Sequence, residues 1–189
     1  MPTNICSPPS DGWLRDCESG SRVVDLGCGN GALLGAIARP DWEMVGIDAS
    51  ETGIRVAQVA HPNIRFQLSD ITSVFEELEC PQDYFDVAIS TEVIEHVYAP
   101  RNLVKNAWRL LRPGGLLIIS TPYHGYLKNL ALSVMGHFDR HFTALWDGGH
   151  IKFWSRSTIA ILLREAGFRR IIFYGVGLTC SPKTARNGL

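Results

Sequence analysis

Short apolar runs rich in β-branched residues alternate along the chain with stretches whose apolar residues recur at helical spacing. The runs predicted as strands are RVVDLG, EMVGID, IRFQLS, YFDVAIST, GLLIIST and, last, RRIIFYGVG. The stretches predicted as helices between the first five strands are GALLGAIAR, ETGIRVAQVA, ITSVFEEL and RNLVKNAWRLL. Because strict alternation of strand and helix requires crossover connections, the pattern predicts an α/β fold: a single doubly wound, mostly parallel sheet with helices on both faces.

The same pattern predicts one domain over residues 1–189, a size that buries a substantial core. Residues 1–20, rich in Pro, Ser and Asp, are expected to form an N-terminal arm. Residues 123–154 are expected to form an insertion after the fifth strand, with an apolar-faced helix over HGYLKNLALSVMGHF and an irregular loop after it. Because loops at this edge commonly carry substrate sites and the segment is rich in aromatic residues, we interpret it as a substrate lid rather than as an insertion that packs on itself.

Composition narrows the class of partner. Lys and Arg total 18 against 19 Asp and Glu, and this net charge of −1 disfavours nucleic acid as the main partner. The N-terminal residues do not resemble a leader, and no window approaches the roughly 20 apolar residues of a membrane span, so a cytoplasmic protein is expected. The five cysteines form no C-x-x-C pair, which favours reduced thiols over disulfides or a zinc site.

The loop after the first strand carries the glycines of a nucleotide-binding turn. GCGNGA fits G-x-G-x-x-G/A through Gly27, Gly29 and Ala32, and Asp48 closes the second strand about 20 residues later, where an acid meets ribose hydroxyls. In a doubly wound sheet, ligands bind outside the carboxyl ends of the strands, so this loop is the expected ligand site. These residues formally allow a nicotinamide dinucleotide.

Four carboxylates are predicted at the carboxyl ends of four successive strands: Asp25, Asp48, Asp70 and Glu92. A single acid at a strand end is often only a cap or a turn former, but four in register surround whatever binds there. Their negative field disfavours a pyrophosphate and favours a ligand that carries a sulfonium, an ammonium group and a ribose.

The chain carries, in this order, the segments VVDLGCGNG, VGID, SDI, FDVAISTEVIEHV and LLRPGGLLIISTP. Together, over about residues 22–168, they resemble the motifs of the class I S-adenosylmethionine-dependent methyltransferases. TEVIEHV and GGHIKFWS make the chain most similar to the small-molecule O-methyltransferases of the ubiquinone-pathway type. The resemblance implies a Rossmann-like sheet of seven strands, S-adenosylmethionine as the cofactor, and a small-molecule acceptor methylated at a hydroxyl oxygen.

The resemblance also implies which residues contact the cofactor. From the methionyl group through the ribose and the adenine to the floor of the site, they are Asp25, Gly27 and Gly29, then Asp48, then Ala49, Asp70 and Ile71, then Glu92 and Val93. Residues 91–94 are TEVI, where nucleic-acid methyltransferases carry an [ND]-P-P-[FYW] tetrad or a Pro-Cys, so nucleic acid is not expected as the acceptor.

The chain departs from the family at its C-terminal end. After Thr179 it is polar and broken by Pro182, so the antiparallel strand that closes the sheet in the family is expected to be missing. Because an open sheet edge is usually covered, a homodimer or poor solubility is expected.

Glu92, Glu95 and His96 are spaced to share one face if EVIEHV is helical. Such a face can hold a divalent cation or supply His96 as a general base; alternatively, the acids only favour the dipole of a first helical turn while His96 packs on the sheet. An oxygen-binding cation normally takes more ligands than this face offers, so no resident metal is expected.

His150 is the first candidate for the base that deprotonates the acceptor, and His96 is the second. His150 follows two glycines and precedes IKFWS, so it lies on a flexible joint with anchored neighbours. The resemblance supports this choice, because relatives of the ubiquinone type have a His at the corresponding place.

Two other functions fit parts of the sequence. A protein that binds S-adenosylmethionine or its product without transferring methyl groups fits the same loop, although the aromatic lid argues against it. An NAD-dependent reductase is supported by the glycine loop alone. Measured turnover tests the first alternative, and thermal stabilisation by NADH or by S-adenosylhomocysteine tests the second.

Overall fold

Seven strands form one sheet in the order β4-β3-β2-β5-β6-β1-β7 in the computed structural model of the protein, which describes residues 4–5, 17–137, 142 and 148–175. The strands are β1 (Asn4–Ile5), β2 (Arg22–Leu26), β3 (Glu43–Asp48), β4 (Arg65–Leu68), β5 (Phe85–Thr91), β6 (Leu111–Ser120) and β7 (Arg170–Ile171). The helices are α1 (Ala32–Ile37), α2 (Glu51–Ala60), α3 (Pro100–Leu110), α4 (Tyr126–Val134) and α5 (Arg156–Ala166), with a 3₁₀ helix over Phe75–Leu78. All the strand pairs in this described part are parallel, as the alternation of strands and helices predicts.

The strand order reverses between β2 and β5. The chain runs outward from β2 through β3 to β4, then crosses back to β5 and continues outward through β6 on the other side. A doubly wound sheet has its ligand crevice at such a switch point, so the predicted fold class is confirmed and the crevice opens beyond the ends of β2 and β5.

Each face of the sheet is covered by helices because successive strand residues point to opposite faces. On one face, Val24 and Ile47 pack in a buried cluster with residues of α3 and α5. On the other face, Val23 and Ile89 pack with Leu34 of α1 and with residues of α2. Both clusters are almost fully buried, which fixes the strand ends that carry the predicted site.

The helix predicted over ITSVFEEL is wrong: residues 71–74 form a loop, and only Phe75–Leu78 form a short 3₁₀ helix. The carboxylate of Asp70 accepts the amide of Thr72 at 2.8 Å, so this amide is bonded outside a helical ladder. The side chains of Asn102 and Asn106 on α3 donate to carbonyls of the same loop. Local side-chain bonds of this kind compete with helix formation.

The sheet continues beyond β6 through a strand from the opposite end of the chain. β1 pairs with β6 at Leu116 and Leu117 and with β7 at Arg170 and Ile171, so it lies between them. The sequence predicts that no closing strand follows Thr179. Residues 176–189 lie outside the described part, so this stays a prediction.

The insertion begins as the sequence predicts, because α4 covers the apolar segment after the fifth predicted strand. The loop that follows is described only at residues 142 and 148–154, so the shape of the rest lies outside the described residues. Within the described part of the chain, no helix combines the length and the apolar character needed to cross a bilayer.

Candidate functional site

The four predicted carboxylates lie at one edge of the sheet. Asp25 belongs to β2, Asp48 ends β3, Asp70 follows β4, and Glu92 follows β5 directly. Because these four strands are parallel neighbours, their carboxyl ends lie side by side, as the sequence predicts.

The glycine loop is pinned to β3 by Asp48. Its two carboxylate oxygens accept the backbone amides of Gly29 at 2.8 Å and Ser50 at 2.7 Å. Gly27 has a φ of 90°, and a Cβ there would lie 2.4 Å from a methyl group of Val93. Gly29, with a φ of 53°, has open space where its Cβ would be. The clash at Gly27 and the left-handed backbone at both positions favour glycine in this loop, and the loop is open on the Gly29 side.

Asp25 is a buried carboxyl beneath this loop. Its side chain is 1% exposed, and its Oδ1 accepts no hydrogen bond from the described residues. Burial, and secondarily the negative charge of Asp48, raises the pKa of Asp25 to about 7. Without a ligand the carboxyl therefore keeps its proton to a higher pH than an ordinary aspartate does, and a cationic or hydrogen-bond-donating group placed above it satisfies an otherwise unpartnered atom.

The predicted adenine contacts lie at the neighbouring strand end. Ala49 and Asp70 are exposed, whereas the side chain of Ile71 is buried in the core. The amide of Ser69 donates to the carbonyl of Asp48 at 3.0 Å and joins the two strand ends. Ile71 can therefore reach a ligand only through its backbone.

The segment after β5 is a turn, so Glu92 does not share a helical face with Glu95 and His96. Glu92 has a φ of 54°, a left-handed conformation that is rare for a residue with a side chain. Its amide donates to the carbonyl of Ser120 at 3.1 Å, and the Ser120 hydroxyl donates to its carboxylate at 2.6 Å. These bonds to β6 hold Glu92 in a conformation that a helix does not allow.

The turn instead brings Glu95 and His96 against His150. The two imidazole rings meet edge to face with their centres 4.9 Å apart, and Nε2 of His150 lies 4.0 Å from Oε1 of Glu95. One ligand atom from each of the three residues lies within 4.8 Å of the others. This grouping joins the two predicted candidates for the base, and a carboxylate 55 residues before His150 in the chain completes it.

Backbone bonds hold His150 in this position. The amides of Ile151 and Lys152 both donate to the carbonyl of Glu95, at 2.9 and 3.0 Å. The indole of Trp154 donates to the carbonyl of Ile94 at 3.3 Å. His150 is therefore anchored on its C-terminal side, where the sequence places its apolar neighbours.

Glu95 is the buried member of the group. Its side chain is 1% exposed, neither carboxylate oxygen has a hydrogen-bond partner among the described residues, and burial raises its pKa above the ordinary value. His96 is exposed and His150 is partly buried. A buried carboxyl beside an accessible imidazole can orient that imidazole and stabilise its protonated form.

A cavity of about 680 Å³ opens beyond Glu92, between the end of β6 and the residues that follow β7. Its walls include Tyr123, Trp154, Arg156 and Phe173. Sequence reasoning did not point to Arg156 and Phe173, which line this cavity. Arg156 is the first residue of α5 and Phe173 lies two residues after β7, so their place in the wall depends on elements distant in the chain from the glycine loop.

The part of the insertion that the structure describes has an aromatic cluster. The ring of His124 stacks on Phe142, with ring centres 5.7 Å apart, and meets the edge of Phe153 at 5.0 Å. The lid over residues 123–154 stays a prediction, because residues 138–141 and 143–147 lie outside the described part.

Comparisons with known proteins agree with this arrangement. A family described as "Methyltransferase domain" matches residues 8–171. The ubiquinone biosynthesis O-methyltransferase of Maricaulis maris is 32% identical over 204 residues, covering 97% of this chain and 76% of that protein. The protein of the same name from Mesorhizobium japonicum is 38% identical over 119 residues, covering 62% and 47%. The chain spans 58% of another such relative, from Bradyrhizobium diazoefficiens.

Solved structures have the same fold. The YcgJ protein from Bacillus subtilis has a TM-score of 0.67 at 24% identity, over 82% of this chain and 64% of that one. A SAM dependent methyltransferase from Archaeoglobus fulgidus has a TM-score of 0.64 at 22% identity, over 83% and 65%. Because the family match covers most of the chain and the sheet, the glycine loop and the strand-end acids agree with it, the chain belongs to the methyltransferase-domain family.

Proposed function

We propose that the protein is an S-adenosylmethionine-dependent methyltransferase that transfers a methyl group to a hydroxyl oxygen of a small molecule. The observation that carries the proposal is the glycine loop pinned by Asp48, with the group of Glu95, His96 and His150 near the same edge of the sheet. The similarity to ubiquinone biosynthesis O-methyltransferases supports an oxygen acceptor.

The residues at the loop fit the proposed cofactor. The unpartnered Oδ1 of Asp25 suits a ligand with an ammonium group. The open space at Gly29 leaves room for that ligand to lie against the backbone of the loop. We assign the methionyl end to Asp25, Gly27 and Gly29, and the ribose to Asp48. Further along, we assign the adenine to Ala49, Asp70 and Ile71, and the floor of the site to Glu92 and Val93.

When bound, the cofactor supplies an activated methyl group, so the protein has to orient an acceptor oxygen and exclude water. A phenolic hydroxyl is largely protonated at neutral pH, so efficient transfer needs a base. We assign that role to His150. Glu95, 4.0 Å from its Nε2, orients the ring and stabilises the imidazolium that forms. His96, in edge contact with His150, lines the same side of the site.

A divalent cation is the alternative device, because Glu95, His96 and His150 also lie close enough to bind one ion together. Such an ion acidifies a bound hydroxyl directly. The two devices separate under chelation. With His150 as the base, EDTA leaves the rate unchanged and His150→Ala lowers it. With a cation, EDTA abolishes the rate and added Mg²⁺ restores it.

Formation of S-adenosylhomocysteine tests the proposal as a whole. The protein is incubated with S-adenosylmethionine and a set of hydroxylated aromatic compounds, and the product is measured by mass spectrometry. Acceptor-dependent formation of S-adenosylhomocysteine and a methyl ether supports the proposal. Tight binding of S-adenosylmethionine with no product from any acceptor favours the alternative of a non-catalytic binding protein.

A further inference from the structure

Three side-chain hydrogen bonds from α3 hold the loop that follows β4. The amide nitrogen of Asn106 donates to the carbonyls of Ile71 at 2.9 Å and Ser73 at 3.0 Å. The amide nitrogen of Asn102, one helical turn earlier, donates to the carbonyl of Thr72 at 3.0 Å. Three successive carbonyls of the loop are thus bonded to one face of a helix rather than to a helical ladder of their own.

Asn106 is suited to this role by its chemistry and by its position. It is 4% exposed, and its nitrogen has two hydrogens for two carbonyls. A carboxylate in its place has acceptors only, and leucine, which has a similar shape, has no polar atoms. The helix itself cannot shift easily, because Leu103, Val104, Ala107 and Leu110 are buried in the core.

Two residues assigned to the adenine, Asp70 and Ile71, lie at the start of this loop. Asp70 is exposed, and its Oδ1 accepts both the amide and the hydroxyl of Thr72 at 2.8 Å. The amide of Ser69 connects the start of the loop to Asp48. The backbone at Ile71 therefore lies between an anchor on β3 and an anchor on α3.

We propose that Asn106 is a positioning residue that holds this loop in the shape that receives the adenine, and that it thereby sets the preference for adenine over other purines. The proposal rests on the proposed function, because it takes Asp70 and Ile71 as the adenine contacts. Loss of the two bonds leaves the buried carbonyl of Ile71 and the partly buried carbonyl of Ser73 without these partners, so the loop rearranges to satisfy them. The ribose end is held separately, by the bond between Asp48 and Gly29, and keeps its geometry.

The test compares two ligands that differ only in the base. Titration calorimetry measures the dissociation constants of S-adenosylhomocysteine and of S-inosylhomocysteine, in which hypoxanthine replaces adenine. We expect the wild type to prefer the adenine compound by at least about tenfold, because a site built around a hydrogen-bonding group rejects the analogue that lacks it. In Asn106→Leu we expect about tenfold weaker binding of S-adenosylhomocysteine. We also expect the ratio of the two dissociation constants to lie within about twofold of one.

Asn102→Leu is the matched control. It makes the same substitution one turn earlier, at an exposed position with a single bond to the loop. We expect it to change either dissociation constant by less than about threefold. A general loosening of the fold lowers both affinities alike and leaves their ratio intact, so the ratio reports the shape of the loop itself.

The outcomes separate the two proposals. A wild type that binds neither compound contradicts the proposed function. A wild type without a preference, or an Asn106→Leu variant that keeps the wild-type preference, overturns the positioning role and leaves the proposed function intact. If Asn106→Leu does not fold, Asn106→Ser, which retains one donor, is expected to lose about threefold of the preference, and an unchanged ratio in that variant overturns the positioning role equally.

Discussion

The buried carboxyl of Asp25 makes the stability of the ligand-free protein depend on pH in an unusual direction. Burial and the nearby charge of Asp48 raise its pKa from the ordinary 3.8 to about 7. Between these two values the folded protein binds more protons at this position than the unfolded chain does. The contribution of Asp25 to the free energy of unfolding is therefore greatest in acid and declines as the pH rises toward 7.

Asp25→Asn removes this dependence with little change of shape. At 1.36 kcal/mol per pH unit, the interval between 3.8 and about 7 corresponds to about 4 kcal/mol in the free energy of unfolding. When the pH is raised from about 5 to about 8, only the part of this interval above pH 5 contributes, and it corresponds to about 3 kcal/mol. We expect the variant to become more stable relative to the wild type by this amount on going from the lower pH to the higher one.

Urea denaturation followed by tryptophan fluorescence, without ligand and at both pH values, measures the effect. Asp41→Asn is the control, because Asp41 is exposed and accepts bonds from the hydroxyl of Ser19 and the amide of Gly20, which lower its pKa. Its replacement is expected to give no gain in stability at the higher pH. If Asp25→Asn differs from the wild type by the same free energy at both pH values, the burial argument for Asp25 is refuted.

Four further predictions address the loop, the base, the ribose contact and the assembly. Gly27→Ala is expected to destabilise the fold by about 1–3 kcal/mol in urea, because Gly27 has a positive φ and a Cβ there would clash with Val93. Gly29→Ala is expected to cost less, because a Cβ at Gly29 meets open space, and equal losses contradict this. His150→Ala is expected to lower kcat by about 10²–10⁴ with unchanged affinity for S-adenosylhomocysteine, and near-normal kcat argues against the base. Asp48→Ala is expected to weaken S-adenosylhomocysteine binding by about 1–3 kcal/mol, and unchanged affinity removes the ribose assignment. Because an open sheet edge is usually covered, light scattering is expected to detect a homodimer or aggregation of the chain, and a well-behaved, concentration-independent monomer contradicts that expectation.

The regular parts of the fold could be predicted from the sequence because their signals are local. The apolar run of β2, the glycines after it and the periodic α2 over Glu51–Ala60 all lie where the pattern places them. The strand-end acids follow from the same pattern, because parallel strands end at the same edge.

The rest depends on contacts between residues far apart in the chain. Glu92 leaves the helical conformation because Ser120, on the next strand, bonds both its amide and its carboxylate. The side chain of Asn106 donates to the carbonyls of Ile71 and Ser73, which precede it by 35 and 33 positions. These bonds favour a loop where the sequence predicts a helix. The meeting of His150 with Glu95 rests on backbone bonds across a segment with no periodic signal, so spacing alone does not reveal it.

The sequence also does not reveal that the side chain of Asp25 is buried. Its position at the end of a strand is evident in the sequence, and the sign of its charge supported the exclusion of a pyrophosphate. Only the packed structure reveals that the side chain is 1% exposed and that its pKa is about 7. The exposed carboxylates of Asp70 and Glu92 therefore contribute more to the negative field at this edge than the buried carboxyl of Asp25 does.

Titration calorimetry of the wild-type protein with S-adenosylhomocysteine and, separately, with NADH tests the central claim most directly. The glycine loop is common to both classes of cofactor, whereas the carboxylates at the strand ends favour a ligand with an ammonium group over one with a pyrophosphate. We predict one binding site for S-adenosylhomocysteine and no measurable heat with NADH. Preferential binding of NADH, or no binding of S-adenosylhomocysteine, would contradict the assignment of this site to S-adenosylmethionine.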